Sequence, residues 1–178
     1  PWAAPVAICT RRPAASAGLP YERVYTDPEA LIADEEVQVV DICTPNHLHA
    51  PVAMAALRAG KAVYVEKPIS HNCAETEALC ALAAQTALPN QTALVMRFRP
   101  DVNRVKDMLR AGAIGRVLHF RACFYHGSYL DPDRLASWRQ SKAQAGGGAM
   151  MDLGIHMLDL LRYLLEEEVV DIKASMRT

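Results

Sequence analysis

Residues 37–68 read VQVVDICTPNHLHAPVAMAALRAGKAVYVEKP, and this stretch decides the fold. Residues 37–43 form a short, β-branched apolar run, which is typical of a parallel strand covered on both faces. The next apolar run predicts a helix that begins at Pro51 and ends at Gly60. A second apolar strand follows at residues 62–65. The stretch is therefore a strand–helix–strand unit with both strands pointing the same way.

The same alternation continues on both sides of this unit. Asn72 stands three residues before Glu75 and predicts a capping pair for the helix that follows. Strands that alternate with helices of about 10–15 residues indicate βαβ crossovers and a parallel sheet. We therefore predict an α/β fold with a partial doubly wound parallel sheet over residues 1–99. Its further elements are strands at 5–10 and 92–96 and helices at 28–33 and 74–87.

Beyond Pro100 the pattern changes. Gly112 closes a predicted helix, and the next segment alternates in part, as in an antiparallel strand with one drier face. We expect a domain boundary between residues 99 and 100, followed by the start of an α+β open-sheet domain over residues 100–178. Its elements are predicted as helices at 102–111 and 150–165 and strands at 117–125 and 169–174.

Composition narrows the class of protein. Of the 178 residues, 51% are hydrophobic and 22% are charged, as in an ordinary globular chain. A net charge of -1 gives no reason to expect a nucleic acid partner. No apolar run approaches the roughly 20 residues that cross a bilayer, so no membrane partner is expected. The five cysteines form no C-x-x-C pair, and their odd number favours buried thiols in a reducing, cytoplasmic setting.

Three segments carry residue types suited to chemistry. The first is TPNHLH at residues 44–49, directly beyond the end of a predicted parallel strand. Ligands of doubly wound sheets bind just outside such ends. The same residues also suit a plain turn with a helix cap, because Pro and Asn are common in turns. Both interpretations stay open on this segment alone.

The second segment, Glu66-Lys67-Pro68, stands at the end of the next strand. A lysine at a strand end can donate a hydrogen bond to a substrate hydroxyl and assist proton transfer. The alternative is a solvated Glu–Lys pair before a proline that stops the strand.

The third segment reads GGGAMMDLGIH at residues 146–156. Asp152 and His156 are four residues apart on a predicted helix, so their side chains share one face. This spacing suits a catalytic pair with His156 as the proton acceptor, and the glycines would let the backbone approach a flat ligand. Alternatively, Asp152 is a first-turn helix charge and His156 is a core residue. With no H-E-x-x-H and no cysteine pair, we predict no metal site.

Taken in order, these segments resemble the glucose-fructose oxidoreductase/inositol dehydrogenase/MocA family. The family pattern of strand, T/S-P-x-x-x-H, helix and A-G-K-x-V-x-x-E-K-P occurs between residues 39 and 68. Its second motif, G-G-G-x-x-x-D-x-G-x-H-x-x-D, matches residues 146–159, and GAIGRV at 112–117 resembles the family's entry into its second domain.

The resemblance implies a Rossmann domain and hydride transfer between a nicotinamide ring and a carbinol carbon of a sugar, inositol or related polyol. Lys67 would hydrogen-bond the reacting oxygen, His156 would be the main acid/base group, and Asp152 would bind the hydroxyl and orient both. The substrate would be a small carbohydrate-like molecule and the protein a homodimer or homotetramer. The residues lining the nicotinamide-ribose side would be Thr44, Pro45, Asn46, His49, Glu66 and Lys67.

The residues at the end of the first predicted strand bear on the choice between NAD and NADP. NAD-preferring Rossmann proteins usually carry an acidic residue there for the ribose 2′-hydroxyl, whereas an arginine accommodates a 2′-phosphate. Here the chain reads Thr10-Arg11-Arg12, with no acid. These three residues favour NADP over NAD, although two arginines before a proline also suit a solvated loop.

The sequence departs from the family pattern in one respect above all: no G-x-G-x-x-G occurs. The chain would begin at the second strand of the Rossmann domain and stop within the second domain. Two other classes stay open, namely a lyase or glycosidase that retains NAD and a non-catalytic relic of the fold. Polar and aromatic residues that could border a substrate pocket are Arg97, Arg99, Tyr125, His126, Tyr129, Trp138 and Arg139.

Overall fold

A computed structural model of the chain describes residues 3–125, 127, 131, 133 and 135–175. The chain forms two compact units. The first unit comprises Pro1–Ala93 and Ser137–Gly148, and the second comprises Leu94–Ala136 and Ala149–Thr178. Ser137–Gly148 belongs to the first unit by its contacts, although Leu94–Ala136 before it belongs to the second. We call Ser137–Gly148 the returning segment. The division into domains at residues 99 and 100 stays a prediction.

The first unit is an α/β structure in which every described ladder is parallel, as predicted. β1 (Ala7–Cys9) pairs with β2 (Arg23–Tyr25), and a separate three-stranded sheet has the order β3–β4–β5. Its strands are β3 (Val39–Ile42), β4 (Ala62–Val65) and β5 (Asn90–Thr92). Helices α1 (Pro28–Ile32), α2 (Asn46–Arg58) and α3 (Cys73–Thr86) connect them, and α5 (Lys142–Ala145) lies in the returning segment.

Helix caps follow the sequence closely. The Asp27 carboxylate accepts from the Glu29 amide at 3.1 Å before α1, and the Asn72 side chain accepts from the Glu75 amide at 2.9 Å before α3. Each cap satisfies a helix-terminal N–H that has no partner inside the helix. The Asn72 cap is confirmed. Its reciprocal half is not formed, because the Glu75 carboxylate accepts from the Ser70 hydroxyl instead.

Helix α2 is the clearest correction to the predicted elements. It begins at Asn46, five residues before the predicted start, so Pro51 lies inside the helix. The physical reason is that Pro45 already has the extended backbone of an N-cap, with φ -60 and ψ 148. The predicted end is confirmed, with Gly60 at φ +78 just past the last turn.

The core of the first unit lies between α2 and the β3–β4 pair. Ala50, Ala53 and Ala56 are fully buried at a helical spacing of three residues. They belong to one buried cluster with Ile42 and Val65 of the strands. Because alanine has no side chain beyond Cβ, this stripe lets α2 pack close to the sheet. The carboxyl ends of β3 and β4 and the first turn of α2 are thereby held close together.

One predicted strand is displaced, and two others are not formed in the described part of the chain. The strand predicted at 92–96 ends at Thr92, and Val95–Phe98 forms a 3-10 helix. Residues 117–125 and 169–174 form no ladder with any described residue. Strand character requires a hydrogen-bonded neighbour, so an alternating apolar pattern alone does not make one.

The second unit is built on two helices, α4 (Pro100–Arg110) and α6 (Ile155–Leu165). The Tyr163 hydroxyl donates to the Asn103 side chain at 2.6 Å, and the Lys106 ammonium lies 3.7 Å from the centroid of the Tyr163 ring. Beyond the end of α6, Glu166 pairs with Lys106 at 3.2 Å and with Arg110. These side-chain contacts hold α4 and α6 against each other.

We expect the Glu166 contacts to be lost in acid. Hydrogen bonds from Arg110 and Lys106 lower the pKa of Glu166 from its ordinary value of 4.5 to about 2. Because the folded-state pKa is lowered, this contribution to stability is present above pH 4.5 and disappears as the pH falls towards 2.

The check is urea unfolding of the wild type and of Glu166→Gln at several pH values. The difference in midpoint should shrink as the pH falls through this window, whereas Glu167→Gln, at the neighbouring exposed carboxylate, should show no such convergence. A difference independent of pH would contradict the assignment.

The five cysteines are free thiols, and four of them are exposed rather than buried as expected. The exposed residues are Cys43, Cys73, Cys80 and Cys123. Although Cys43 is exposed as a residue, partial desolvation of its thiol and the neighbouring Asp41 carboxylate raise the pKa of Cys43 to about 11. Among the described residues, no helix has both the length and the apolar character needed to span a membrane.

Candidate functional site

Parallel register brings two of the three predicted segments to one edge of the sheet. Ile42, the last residue of β3, pairs with Val65, the last residue of β4. The Glu66 amide then donates to the Ile42 carbonyl at 3.0 Å. We call residues 44–49, which include the first turn of α2, the Thr44 turn. This turn and the Glu66-Lys67 segment therefore leave the sheet side by side, at the edge where ligands of doubly wound folds bind.

The Thr44 turn contains two buried polar atoms without a hydrogen-bond partner among the described residues. They are the Thr44 hydroxyl oxygen and Nδ1 of His47. The His47 ring also contacts the His71 ring edge to face, with centroids 6.4 Å apart. Buried polar atoms are normally paired, and leaving one unpaired costs roughly 1–3 kcal/mol. Both atoms therefore keep hydrogen-bonding capacity that the described residues leave unused.

His49, which the sequence predicts to line the nicotinamide-ribose side, is buried in the first turn of α2. Its ring is 1% exposed, and its two nitrogens lie 2.6 Å from the carbonyl oxygens of Thr44 and Pro68. These contacts tie the end of β3 to the end of β4 through the backbone. The ring nitrogens are engaged within the protein rather than presented to a ligand.

Asn46 is likewise buried, in the first turn of α2. Its side-chain amide donates to the Ala145 carbonyl at 2.9 Å, across 99 residues of sequence. This hydrogen bond fixes the segment that leads into the glycine run. Pro45 is the N-cap of α2 and makes no side-chain cap hydrogen bond. The side chains of neighbouring residues therefore hold the Thr44 turn.

The Glu66-Lys67-Pro68 segment is half-buried at Glu66 and Lys67 and buried at Pro68. The Glu66 carboxylate accepts from the Lys67 amide at 3.2 Å, and the Lys67–Pro68 peptide bond is cis. Lys67 thus directly follows the strand, as the sequence predicts, and belongs to the first unit.

Gly146 is required by packing within the protein, whereas the approach of the glycine run to a flat ligand stays a prediction. Its φ is +81, and a Cβ at this position would lie 2.2 Å from the carbonyl oxygen of His71. An alanine could not occupy that space without a shift of the backbone. The absence of a Cβ at Gly146 therefore lets the returning segment pack against the loop that precedes α3.

Asp152 and His156 lie in the second unit. Asp152 is in a π-helical turn, Met150–Gly154, and regular α-helix begins only at Ile155. The local helix type thus differs from the predicted α-helix, and the catalytic pairing of Asp152 with His156 stays a prediction. Single π turns inside helices are frequent at functional sites. The His156 ring packs 6.1 Å from the Phe124 ring, centroid to centroid.

Asp159, the last residue of the second motif, has a role that the sequence analysis did not assign. Its carboxylate is 5% exposed and accepts from Nε of Arg97 at 2.9 Å with both oxygens. Arg97 also lies 5.4 Å from the Tyr163 ring. The signal that could have found Asp159 is its place three residues after His156, on the same helix.

The Arg97–Asp159 pair predicts an asymmetry between two substitutions. Arg97→Ala leaves a buried carboxylate unpaired, which we expect to cost about 3 kcal/mol of the free energy of unfolding. Asp159→Ala leaves a guanidinium that is 35% exposed and reachable by water, so it should cost less. Urea unfolding measures both, and the double variant should recover part of the Arg97→Ala loss. Equal costs for the two single variants would contradict this account.

The remaining predicted residues lie at the end of β1 and in or near the segments that follow β5. Thr10 follows β1, its hydroxyl accepts from the Arg12 amide at 3.2 Å, and the side chains of Arg11 and Arg12 are exposed. Of the residues expected to border a substrate pocket, Arg99 pairs with Asp101 at 2.7 Å and the Arg139 guanidinium stacks 4.4 Å from the Trp138 ring centroid. Tyr125 is exposed, whereas His126 and Tyr129 lie outside the described residues.

No group of three or more histidine, cysteine or acidic side chains that could hold a metal ion occurs within the described ranges.

Two family models match the chain. The model described as "Oxidoreductase family, NAD-binding Rossmann fold" matches residues 3–92, and that of the GFO/IDH/MocA C-terminal domain matches residues 102–178. Levoglucosan dehydrogenase from Pseudarthrobacter phenanthrenivorans is 38% identical over 83% of the chain and 38% of its own length. The 1,5-anhydro-D-fructose reductase of Ensifer adhaerens is 32% identical over 84% of the chain and 44% of its own length.

Solved structures agree with these matches. A levoglucosan dehydrogenase in complex with NADH and L-sorbose superposes with a TM-score of 0.87 at 35% identity, over 92% of this chain and 44% of the other. An oxidoreductase domain protein from Kribbella flavida gives 0.86 at 35% identity, over 92% and 44%. The chain thus spans less than half the length of each of these relatives.

Proposed function

Because this chain belongs to the glucose-fructose oxidoreductase/inositol dehydrogenase/MocA family, we propose that it carries the cofactor edge and acid/base groups of an NAD(P)-dependent oxidoreductase. The reaction is hydride transfer between a nicotinamide ring and a carbinol carbon of a sugar, inositol or related polyol. The observation that carries the proposal is the β3–β4 register, which sets the Thr44 turn beside Glu66-Lys67 at one edge of an NAD-binding fold.

Lys67, Asp152 and His156 are the proposed catalytic residues. Lys67 donates to the reacting oxygen, His156 takes the hydroxyl proton during oxidation, and Asp152 orients the hydroxyl. Departure of a hydride from a carbinol requires a positioned base for the proton and a donor for the charge that develops on oxygen. The nicotinamide, when bound, accepts or supplies the hydride.

The proposed cofactor contacts come from the strand ends. Thr44 and Pro45, together with Glu66, line the nicotinamide-ribose side, and the unpaired Thr44 hydroxyl supports a polar contact there. Asn46 and His49 contribute by holding the backbone of that edge. Thr10, Arg11 and Arg12 follow β1 with no acidic residue among them, which supports a 2′-phosphate and NADP over NAD.

The proposed substrate is a small carbohydrate-like alcohol or ketone, in keeping with the names of the sugar-acting relatives. We further propose a cytoplasmic homodimer or homotetramer. The free thiols support the first part of this proposal and the family resemblance the second.

Titration of the purified chain with NADPH and NADH, followed by nicotinamide fluorescence, tests the proposal. We expect saturable binding of both with NADPH preferred, and an Arg11→Ala/Arg12→Ala variant should lose about tenfold in NADPH affinity while NADH binding stays. Arg58→Ala, an exposed arginine at the far end of α2, is the matched control and should change neither. Failure to bind either nucleotide would overturn the proposal for this chain.

A further inference from the structure

The side chain of His49 joins the loop that follows β3 to the loop that follows β4. Nε2 of His49 lies 2.6 Å from the Thr44 carbonyl oxygen, and Nδ1 lies 2.6 Å from the Pro68 carbonyl oxygen. Thr44 stands two residues beyond β3 and Pro68 stands three residues beyond β4. The ring therefore spans the two loops after the sheet hydrogen bonds have ended.

Both partners of the ring are carbonyl oxygens, which only accept hydrogen bonds. The two imidazole nitrogens of His49 lie at separate points of one rigid ring and face the two carbonyls. A neutral ring has one N–H and donates to one carbonyl in each tautomer, whereas a protonated ring donates to both. The site is almost completely closed to water, because His49 is 1% exposed. Water cannot substitute for the ring there, and a carbonyl that loses its donor would stay unpaired.

The position of the ring in the fold connects it to the proposed site. The Thr44 carbonyl belongs to the residue whose hydroxyl is buried without a described partner. The Pro68 carbonyl belongs to the residue that follows Lys67 directly. Holding these two carbonyls fixes the backbone on both sides of the edge at which the cofactor and the reacting oxygen would meet.

Asn46 adds an independent contact from the same turn of α2. It lies three residues before His49, is buried, and donates to the Ala145 carbonyl. The first turn of α2 thus holds three separate backbone segments by side-chain contacts. Pro45, the N-cap of α2, makes no side-chain hydrogen bond that adds to these contacts.

We propose that His49 is a positioning residue, whose ring bridges the Thr44 and Pro68 carbonyls and thereby fixes Lys67 and the Thr44 hydroxyl for hydride transfer. The contribution to hydride transfer rests on the proposed function, whereas the bridge itself does not. His49 touches neither substrate nor cofactor in this account. It acts through the backbone of the two loops.

Hydrogen–deuterium exchange of the chain without cofactor tests the bridge. His49→Leu keeps an apolar volume and removes both nitrogens, whereas His49→Gln keeps one donor. We expect His49→Leu to speed exchange of the Thr44 and Lys67 amides by about tenfold relative to those of Val63 and Val65 inside β4. His49→Gln should give a smaller increase, and it keeps the test informative if the leucine variant does not fold.

Leu57→Ala, at the other end of α2, is the matched control because Leu57 is equally buried but apolar. It should speed exchange at all four amides together. If the His49 variants also change the loop amides only in step with Val63 and Val65, His49 is a packing residue and the proposal is overturned.

Turnover of a sugar or polyol with NADPH or NADH, measured on the same proteins, separates the two claims. We expect both His49 variants to lower kcat with little change in KM, and His49→Gln to retain more turnover than His49→Leu. Faster exchange of the Thr44 and Lys67 amides together with an unchanged kcat would overturn the positioning role of His49. A wild-type chain without turnover would instead overturn the proposed function, since the exchange measurement needs no activity.

Discussion

Replacement of Lys67 by alanine is expected to lower kcat by about 10²–10⁴-fold, the usual contribution of a positioned proton donor. Lys67 follows β4 directly and lies at the edge shared with the Thr44 turn. Binding of NADPH or NADH should survive, because most of the proposed cofactor contacts come from residues other than Lys67. Steady-state kinetics with a responsive sugar or polyol, combined with fluorescence titration, measures both quantities.

Lys61 offers a matched control on the same strand. It stands just before β4, at the opposite edge of the sheet, and its ammonium donates to the Asp34 carbonyl at 2.8 Å. Lys61→Ala should cost roughly 1 kcal/mol of stability through that lost hydrogen bond and leave kcat unchanged. Turnover that persists in Lys67→Ala at the wild-type rate would remove Lys67 from the proposed mechanism.

The second large effect concerns packing rather than chemistry. Gly146→Ala adds a Cβ that would lie 2.2 Å from the His71 carbonyl oxygen, at a residue with φ +81. Both the steric overlap and the left-handed backbone oppose the substitution, and we expect a loss of about 2–5 kcal/mol in the free energy of unfolding. Because Asn46 holds the adjacent Ala145, the whole returning segment should loosen.

Gly148→Ala is the control within the same glycine run. A Cβ at Gly148 would meet no atom within 4 Å. The change should therefore alter stability by roughly 0.5 kcal/mol or less, as surface substitutions usually do. Urea unfolding of the two variants decides the matter, and similar midpoints would show that the approach of Gly146 to His71 is not a constraint on the fold.

Local rules predicted most of the first unit. Ala62–Val65 has the predicted bounds, the Asn72 cap forms, and Gly60 ends α2. These features depend on residues within four or five positions of each other, so the chain encodes them locally. The start of α2 was missed for a local reason as well, since Pro51 looked like a first-turn proline although Pro45 had already begun the helix.

For the candidate site, the sequence by itself determined which residues to consider and which strand ends carry them. The order of strand, turn, helix and strand placed Thr44 and Lys67 beyond neighbouring parallel strands, and the motif containing Asp152 and His156 was recognisable without coordinates. It could not determine what each side chain touches.

Only the tertiary structure decided those contacts, because they join residues that are far apart in sequence. His49 meets Pro68 across 19 residues, Arg97 meets Asp159 across 62, and Asn46 meets Ala145 across 99. No local pattern reports such partners. The same reason explains why residues 117–125 alternate without pairing with any residue that the structure describes: an alternating pattern is local, but a ladder needs a neighbour that only the folded chain can supply.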